Sequence, residues 1–170
     1  KAHLELKNKF KNLITVIIPR HIDRSDEIIS EIKYLNLKIV KHSSNTNNLK
    51  NTDIYLVDTF GETKKFYNLA PTVFLGGSII NRGGQNPLEA VRSDANILHG
   101  PNVDNFKDIY KLLKKLDIAK KVFTVSDISK SLIIKKNRRA GIKIKNIGEK
   151  ILKNTIKEFN YLINDEFKKT

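Results

Sequence analysis

The segment from residue 74 to residue 89 combines two glycine pairs with a polar loop and the start of a helix. It reads F-L-G-G-S-I-I-N-R-G-G-Q-N-P-L-E, with the pairs at Gly76-Gly77 and Gly83-Gly84. Glycine lets a ligand approach the backbone closely. A helix start adds N–H groups without helical partners and a partial positive charge. This pattern predicts a site for an anionic ligand, most often a phosphate.

Two other polar clusters follow predicted strands in the same way. The first is Pro19-Arg20-His21, and the second runs from Asp58 to Glu62. Ligands of parallel α/β sheets bind beyond the carboxyl ends of the strands. We therefore expect both clusters to lie with the glycine loop at one edge of the sheet.

Each cluster also has a purely structural interpretation. Asn86 with Glu89, and Thr59 with Glu62, have the three-residue spacing of a helix-capping box. A salt bridge to a nearby aspartate is the alternative for Arg20. The sequence leaves these alternatives open, but four glycines within nine residues exceed what a turn or a helix cap requires.

The elements that must position these clusters alternate between strand and helix. Short apolar runs predict strands, and apolar positions three and four residues apart predict helices. The predicted strands are 13–18, 37–40, 53–57, 72–75, 96–98 and 121–125. The predicted helices are 23–35, 62–69, 87–92, 103–116 and 127–167, the last broken near Asn137 and Gly141. This order predicts an α/β fold with a parallel sheet and helices on both faces.

Composition excludes several classes of protein. The 170 residues suit one domain, and the absence of cysteine rules out disulfides and thiolate metal sites. The sequence has no P-loop or G-x-G-x-x-G fingerprint, no G-x-S-x-G elbow and no Asp-x-Asp pair, and its four histidines have no ligand spacing. No apolar run is long enough to cross a bilayer. The chain lacks an initiator Met, and we expect it to be a piece of a longer protein.

The net charge of +14 suggests an anionic partner, but not nucleic acid. Lysines outnumber arginines by 26 to 6, whereas bidentate recognition of phosphates and bases favours arginine. Residues 120–170 hold 14 basic and 5 acidic side chains. The C-terminal helices therefore present either an ordinary solvated basic face or a surface attracted to anionic membranes.

Several motifs together resemble the C-terminal half of 3-deoxy-D-manno-octulosonic acid (Kdo) transferases, the lipid A Kdo transferases of Gram-negative bacteria. They are I-P-R-H at 18–21 with Arg24, D-T-F-G-E at 58–62, F-Y at 66–67, G-G-S at 76–78, G-G-Q-N-P-L-E at 83–89, and G-P at 100–101 with N-F at 105–106. The resemblance runs from about residue 13 to residue 110. It implies a GT-B glycosyltransferase whose Rossmann-like C-terminal domain binds the donor CMP-Kdo. We expect a CMP-Kdo-binding core at 1–125, with basic helices at 126–170 packing on it. The resemblance leaves open the alternative that the helices at 127–167 pack back on an N-terminal domain, as terminal helices do in GT-B enzymes.

The resemblance also implies a set of donor-binding residues. Arg20 would bind the donor's phosphate or carboxylate and stabilise the leaving group, and Glu89 would accept hydrogen bonds from the ribose. The remaining expected donor-binding residues are Pro19, His21, Gly61, Glu62, Gly76, Gly77, Ser78, Gly83, Gly84, Gln85 and Asn86. Gln85 stands where the family has histidine, so a protonated side chain at that position is not expected in this chain.

The same resemblance implies what lies outside the chain. The acceptor, the lipid A precursor lipid IV-A, and the catalytic base would belong to an N-terminal domain that this chain lacks. We expect a metal-independent enzyme without cofactor at the cytoplasmic face of the inner membrane, and a fragment that binds donor weakly without turnover. The donor domain of another GT-B transferase or of a nucleotide-sugar epimerase is the alternative.

Overall fold

The structure, a computed structural model, describes residues 1–46 and 48–167. Six short strands alternate with helices, as the sequence pattern predicts. The strands are β1 (Thr15–Ile17), β2 (Ile39–Lys41), β3 (Ile54–Leu56), β4 (Thr72–Leu75), β5 (Asn96–His99) and β6 (Ala119–Lys121). The helices are α1 (Ala2–Lys7), α2 (Ser25–Ile32), α3 (Thr63–Leu69), α4 (Leu88–Arg92), α5 (Lys107–Lys115), α6 (Val125–Ser131) and α7 (Ala140–Phe167).

Backbone hydrogen bonds divide the strands into two parallel sheets of three. β3 lies between β1 and β2, with Ile54 opposite both Thr15 and Ile39. β5 lies between β4 and β6, with Ile97 opposite Val73 and Ala119. The parallel α/β fold predicted from the alternation is confirmed, and each central strand is paired along both of its edges.

The apolar core sits mainly around the second sheet. β5 is buried along its whole length, which explains why its sequence shows no alternation of apolar and polar positions. Leu75, Val91 and Leu113 are almost completely enclosed there by residues of β4, α4 and α5. The first turn of α7 joins this core through Ala140 and Ile144. The core therefore anchors both the glycine loop, which follows β4, and the base of the C-terminal helix.

Two sequence predictions near the C-terminus are wrong in their bounds. The last strand is predicted at 121–125, but β6 ends at Lys121 and α6 begins at Val125. Thr124 and Asp127 form a reciprocal capping box, which starts the helix there. The break between the last two helices covers 132–139, and Gly141 lies inside α7. The Gly141 N–H donates to Asp94 Oδ1 at 2.9 Å, so this glycine brings the helix against the turn after α4.

Two further features of the C-terminal segment bear on the predicted organisation. Ala140 and Ile144 pack on the core, whereas every described side chain from 148 onward is exposed. No helix of the described residues has the length and apolarity needed to cross a bilayer. The division into a core at 1–125 and helices at 126–170 remains a prediction.

Candidate donor-binding cleft

An open cleft of about 520 Å³ lies where the strands of the two sheets end. The segment after β1 contributes Pro19 and Arg20, and the loop after β3 contributes Gly61. The glycine loop after β4 and the start of α4 supply the opposite wall, with Gly84, Gln85, Asn86 and Glu89. The predicted convergence of the three polar clusters is thus what the fold produces, because all three follow parallel strands.

The glycine loop has a backbone that other residues would adopt only under strain. Gly77, Gly83 and Gly84 all have φ between +68° and +75°. The Gly84 N–H donates to the Gly77 carbonyl at 3.2 Å, so the two glycine pairs close one loop. A side chain at Gly83 would overlap the Asn105 side chain, and the backbone N–H of Asn105 donates to the Gly83 carbonyl at 3.2 Å.

Asn86 and Glu89 have the spacing of a capping box, but their side chains have different roles in the structure. The Asn86 side-chain carbonyl accepts from the N–H of Leu88, the first residue of α4, at 3.0 Å, so this side chain is engaged at the start of the helix. The Glu89 carboxylate is exposed in the cleft and takes no part in the hydrogen bonds and ion pairs of the described residues. Glu89 is therefore available to a ligand.

The anion-binding contribution of α4 is smaller than the sequence pattern predicts. The helix has only five residues, and its first N–H is already bonded to Asn86. The backbone N–H groups of Gln85, Asn86 and Glu89 donate to none of the described residues, and all three residues line the cleft. Unbonded N–H donors are therefore available from the loop as well as from the first turn of α4.

Arg20 is exposed at the rim of the cleft rather than paired to a neighbouring aspartate. Asp26 pairs with Lys41 at 2.7 Å, and Arg24 pairs with Glu27 at 2.7 Å. No ion pair within the described residues involves Arg20. Arg20 is the one cationic residue among the described residues that line the cleft, and Glu89 is the one acidic residue.

Six of the expected donor-binding residues lie away from the lining of this cleft. His21 is exposed at the start of the 3-10 turn at 22–24. Gly76, Gly77 and Gly83 form the loop behind the cleft wall. Ser78 is completely buried, and its hydroxyl donates to the Leu75 carbonyl at 2.6 Å and accepts from the Gly100 N–H at 2.8 Å.

Glu62, the sixth of these residues, pairs with a lysine rather than acting as a helix cap. Its carboxylate pairs with Lys65 at 2.8 Å and lies 4.0 Å from His42 Nε2. The hydrogen bond from Lys65, together with the positive charge of Lys65, lowers the pKa of Glu62 below its ordinary value. Its side chain makes no capping hydrogen bond at the start of α3.

The cleft also contains residues that were not among the expected donor-binding set. Phe60 is 76% exposed at the rim, and Tyr67, Asn105 and Phe106 line the interior. Burial, with a smaller contribution from Glu89, raises the pKa of Tyr67, so its hydroxyl stays protonated. The F-Y and N-F pairs belong to the family motifs, and their position beside strand ends is the signal that marks them as site residues.

The buried side chain of Tyr110 supports the glycine loop from the side of the core. The Tyr110 hydroxyl donates to the Gln85 carbonyl at 2.9 Å, and its ring packs against His99 with centroids 4.4 Å apart. Burial lowers the pKa of His99 and raises that of Tyr110, so both groups are neutral near pH 7. This pair fixes the backbone of Gln85 from the core, and nothing in the sequence pattern points to it.

Curated relatives of this chain carry one name repeatedly. A 3-deoxy-D-manno-octulosonic acid transferase of Rickettsia prowazekii is 33% identical over 148 residues, which cover 87% of this chain. The protein of that name from Rickettsia typhi is 33% identical over 162 residues, 95% of this chain. A solved structure, the C-terminal CMP-Kdo binding domain of WaaA from Acinetobacter baumannii, matches 76% of this chain and 67% of its own with a TM-score of 0.71 and 27% identity. This chain belongs to the Kdo transferase family and corresponds to the C-terminal domain of its members.

The match covers only part of each family member. The chain spans 32% and 34% of the two rickettsial proteins, about a third of their length. A bifunctional glycosyltransferase/methyltransferase of Fusobacterium nucleatum is also similar, 31% identical over 168 residues and 26% of that protein. The chain matches no protein-family model.

Proposed function

We propose that this chain binds CMP-Kdo in the described cleft and serves as the donor half of an enzyme that transfers Kdo to a lipid A precursor. The observation that carries the proposal is the convergence of Arg20, the Gln85-Asn86 backbone and Glu89 on one cleft, in a domain similar to a CMP-Kdo binding domain. The cleft offers a cation and N–H donors together with a carboxylate acceptor. A nucleoside monophosphate ester needs that combination, because its phosphate is anionic and its ribose hydroxyls are donors.

The same residues suit the bond-breaking step. Transfer of Kdo cleaves the bond between the anomeric carbon and a phosphate oxygen, so negative charge grows on the departing CMP. The Arg20 guanidinium and the N–H groups of Gln85 and Asn86 would stabilise this charge, and hydrogen bonds to a charged group are about twice as strong as neutral ones. We propose that leaving-group stabilisation relies on these protein donors.

The acceptor hydroxyl must lose a proton to a base that this cleft does not supply. Glu89 is the one carboxylate among its described lining residues, and our proposal assigns it to the ribose. The base would then come from another part of a full-length enzyme, and lipid IV-A would bind there as acceptor at the cytoplasmic face of the inner membrane. We expect this chain alone to bind donor without turnover. Kdo transfer by the purified chain would contradict this division of roles.

Calorimetric titration of CMP into the chain tests the donor site. Arg20→Ala should weaken binding about tenfold or more, because a charge-assisted contact to phosphate is lost. Glu89→Gln should weaken binding several-fold without changing thermal stability, because Glu89 makes no capping bond in the structure. Arg139→Ala is the matched control, since Arg139 is exposed and lies outside the cleft. Equal affinity of wild type and Arg20→Ala would remove Arg20 from the site.

A donor domain with another nucleotide specificity is the second candidate function. The similarity to a bifunctional glycosyltransferase/methyltransferase favours a glycosyltransferase without specifying the donor. Competition of CMP against UMP and UDP in the same titration separates the two candidates. Preference for a uridine nucleotide would favour another transferase or an epimerase, whereas preference for CMP supports the Kdo donor.

A further inference from the structure

The connection between α6 and α7, residues 132–139, is bound to the amino ends of β4 and β5, at the opposite end of these strands from the cleft. The hydroxyl of Thr72, the first residue of β4, donates to the Ile133 carbonyl at 2.7 Å and accepts from the Ile133 N–H at 3.2 Å. The side-chain amide of Asn96, the first residue of β5, donates to the Lys135 carbonyl at 2.9 Å. The connection is therefore fixed to the second sheet at more than one point.

Lys136, the next residue of this connection, is hydrogen-bonded to the carboxyl ends of two helices at once. Its ammonium donates to the carbonyl of Tyr67, in the last turn of α3, at 3.1 Å. The same ammonium donates at 2.7 Å to the carbonyl of Ser93, the residue that follows α4. A cation at a helix carboxyl end is also favoured by the helix dipole. Lys136 therefore joins α3 to α4, and the two helices also pack against each other.

Lys136 supplies donors that the two helices cannot provide themselves. The residue four positions after Tyr67 is Pro71, which has no N–H. The N–H four positions after Ser93 belongs to Ile97 and donates across the second sheet at 3.0 Å instead. Loss of the ammonium would deprive two partly buried carbonyls of their donor and leave the ends of both helices less firmly held.

Both helices carry a residue of the cleft that is close to Lys136 along the hydrogen bonds. Tyr67 itself lines the cleft, since side chains of a helix point back toward its amino end. The N–H of Ser93 donates to the backbone carbonyl of Glu89 at 3.2 Å, and Glu89 lines the same cleft. Because α4 has only five residues, a displacement of its carboxyl end is carried to Glu89 at its amino end.

We propose that Lys136 is a positioning residue that holds Glu89 and Tyr67 at the spacing the donor's ribose requires. This inference rests on the proposed function, in which Glu89 accepts hydrogen bonds from the ribose hydroxyls. Such bonds weaken steeply as distance and angle depart from their optimum, so a small shift of α4 relative to α3 weakens ribose binding. A lysine outside the cleft thus contributes to the affinity for the nucleotide through the two helices that it joins.

Comparison of CMP with 2′,3′-dideoxy-CMP tests the proposal, because the second ligand lacks the ribose hydroxyls. In calorimetry the wild-type chain should prefer CMP by about tenfold, the effect of one or two hydrogen bonds to a carboxylate. Lys136→Met should reduce this preference to about threefold or less, and Glu89→Gln should reduce it at least as far. The double variant Lys136→Met/Glu89→Gln should show the same preference as Glu89→Gln alone, since the lysine acts through the carboxylate.

Thr72→Val is the matched control for destabilisation alone. This change removes both side-chain bonds to Ile133 in the same connection and involves neither of the carbonyls that Lys136 holds. It should lower the midpoint of urea unfolding while the wild-type preference for CMP is kept. Lys136→Gln provides a second test if Lys136→Met does not fold, because its shorter amide cannot reach both carbonyls, and its preference should lie between those of wild type and Glu89→Gln.

The outcomes separate failure of this inference from failure of the proposed function. A preference for CMP that survives Lys136→Met or Lys136→Gln but is abolished by Glu89→Gln would overturn the role of Lys136 and leave the donor site in place. A preference lost equally in Thr72→Val would also overturn it, since the effect would then be general destabilisation. Wild type that does not bind CMP, or binds both ligands equally, would remove the ribose from Glu89 and the positioning role with it.

Discussion

Replacing Ser78 by alanine should destabilise the domain while leaving its nucleotide affinity nearly intact. The hydroxyl of Ser78 joins the end of β4 to the start of the loop after β5, accepting from the Gly100 N–H at 2.8 Å and donating to the Leu75 carbonyl at 2.6 Å. Both partners are buried, so no solvent replaces the lost bonds. An unsatisfied buried donor costs about 1–3 kcal/mol, and the lost bond to Leu75 adds about 1 kcal/mol, which gives a loss of about 2–4 kcal/mol.

Urea unfolding and calorimetry on the same variant decide whether Ser78 has this structural role. The free energy of unfolding should fall by that amount, whereas the CMP dissociation constant of the folded protein should change less than about threefold, since Ser78 lies outside the cleft lining. Ser30→Ala is the control, because the Ser30 hydroxyl bonds only to the carbonyl of Asp26 within α2, at an exposed position. A tenfold loss of affinity with unchanged stability would refute the structural role and return Ser78 to the donor-contacting set.

Three further predictions concern the groups behind the cleft. Gly100→Ala should cost about 3 kcal/mol or more in urea unfolding, because a Cβ there would overlap the Ser78 backbone, and an unchanged midpoint would contradict that close packing. Tyr110→Phe should cost about 1 kcal/mol and weaken CMP binding a few-fold in calorimetry, since the loop carbonyl above it loses its donor, and undiminished affinity would show that the loop needs no such support. Burial of Asp58 opposes its ionised form, but hydrogen bonds from the N–H and hydroxyl of Ser43 prevail and lower its pKa. The stability that Asp58 contributes is therefore complete above about pH 4 and is lost as the pH falls through the lowered pKa of the folded state. Urea unfolding measured at about pH 2–6 should show this loss of stability in the wild type but not in Asp58→Asn.

Local pattern is sufficient for most of the fold. Five predicted strands agree with the observed ones in position, since short β-branched runs bounded by polar loops have few other structures open to them. The sixth is misplaced because apolar residues after Lys121 suggest a strand, whereas the Thr124–Asp127 capping box begins a helix. Helix α1 is not predicted, since its six residues have no strong periodicity and its placement depends on distant contacts, such as His3 with Thr15 at 2.9 Å.

The same limit applies to the candidate site. Arg20, Glu89 and the glycine loop are identified from residue type and their position after strands, and these signals are local. The supporting role of Tyr110 cannot be predicted from the sequence. Tyr110 and Gln85 are 25 positions apart and meet only because α5 packs on the second sheet.

The sequence by itself determined the alternation of parallel strands and helices, the glycine loop and the family to which its motifs point. These depend on periodicity and on backbone conformations that glycine alone adopts readily. Only the tertiary structure decided that Asn86 bonds to the first N–H of α4 while Glu89 remains open to a ligand, and that Ser78 is enclosed. Hydrogen-bond partners and burial are set by which elements pack together, and sequence spacing does not encode that packing.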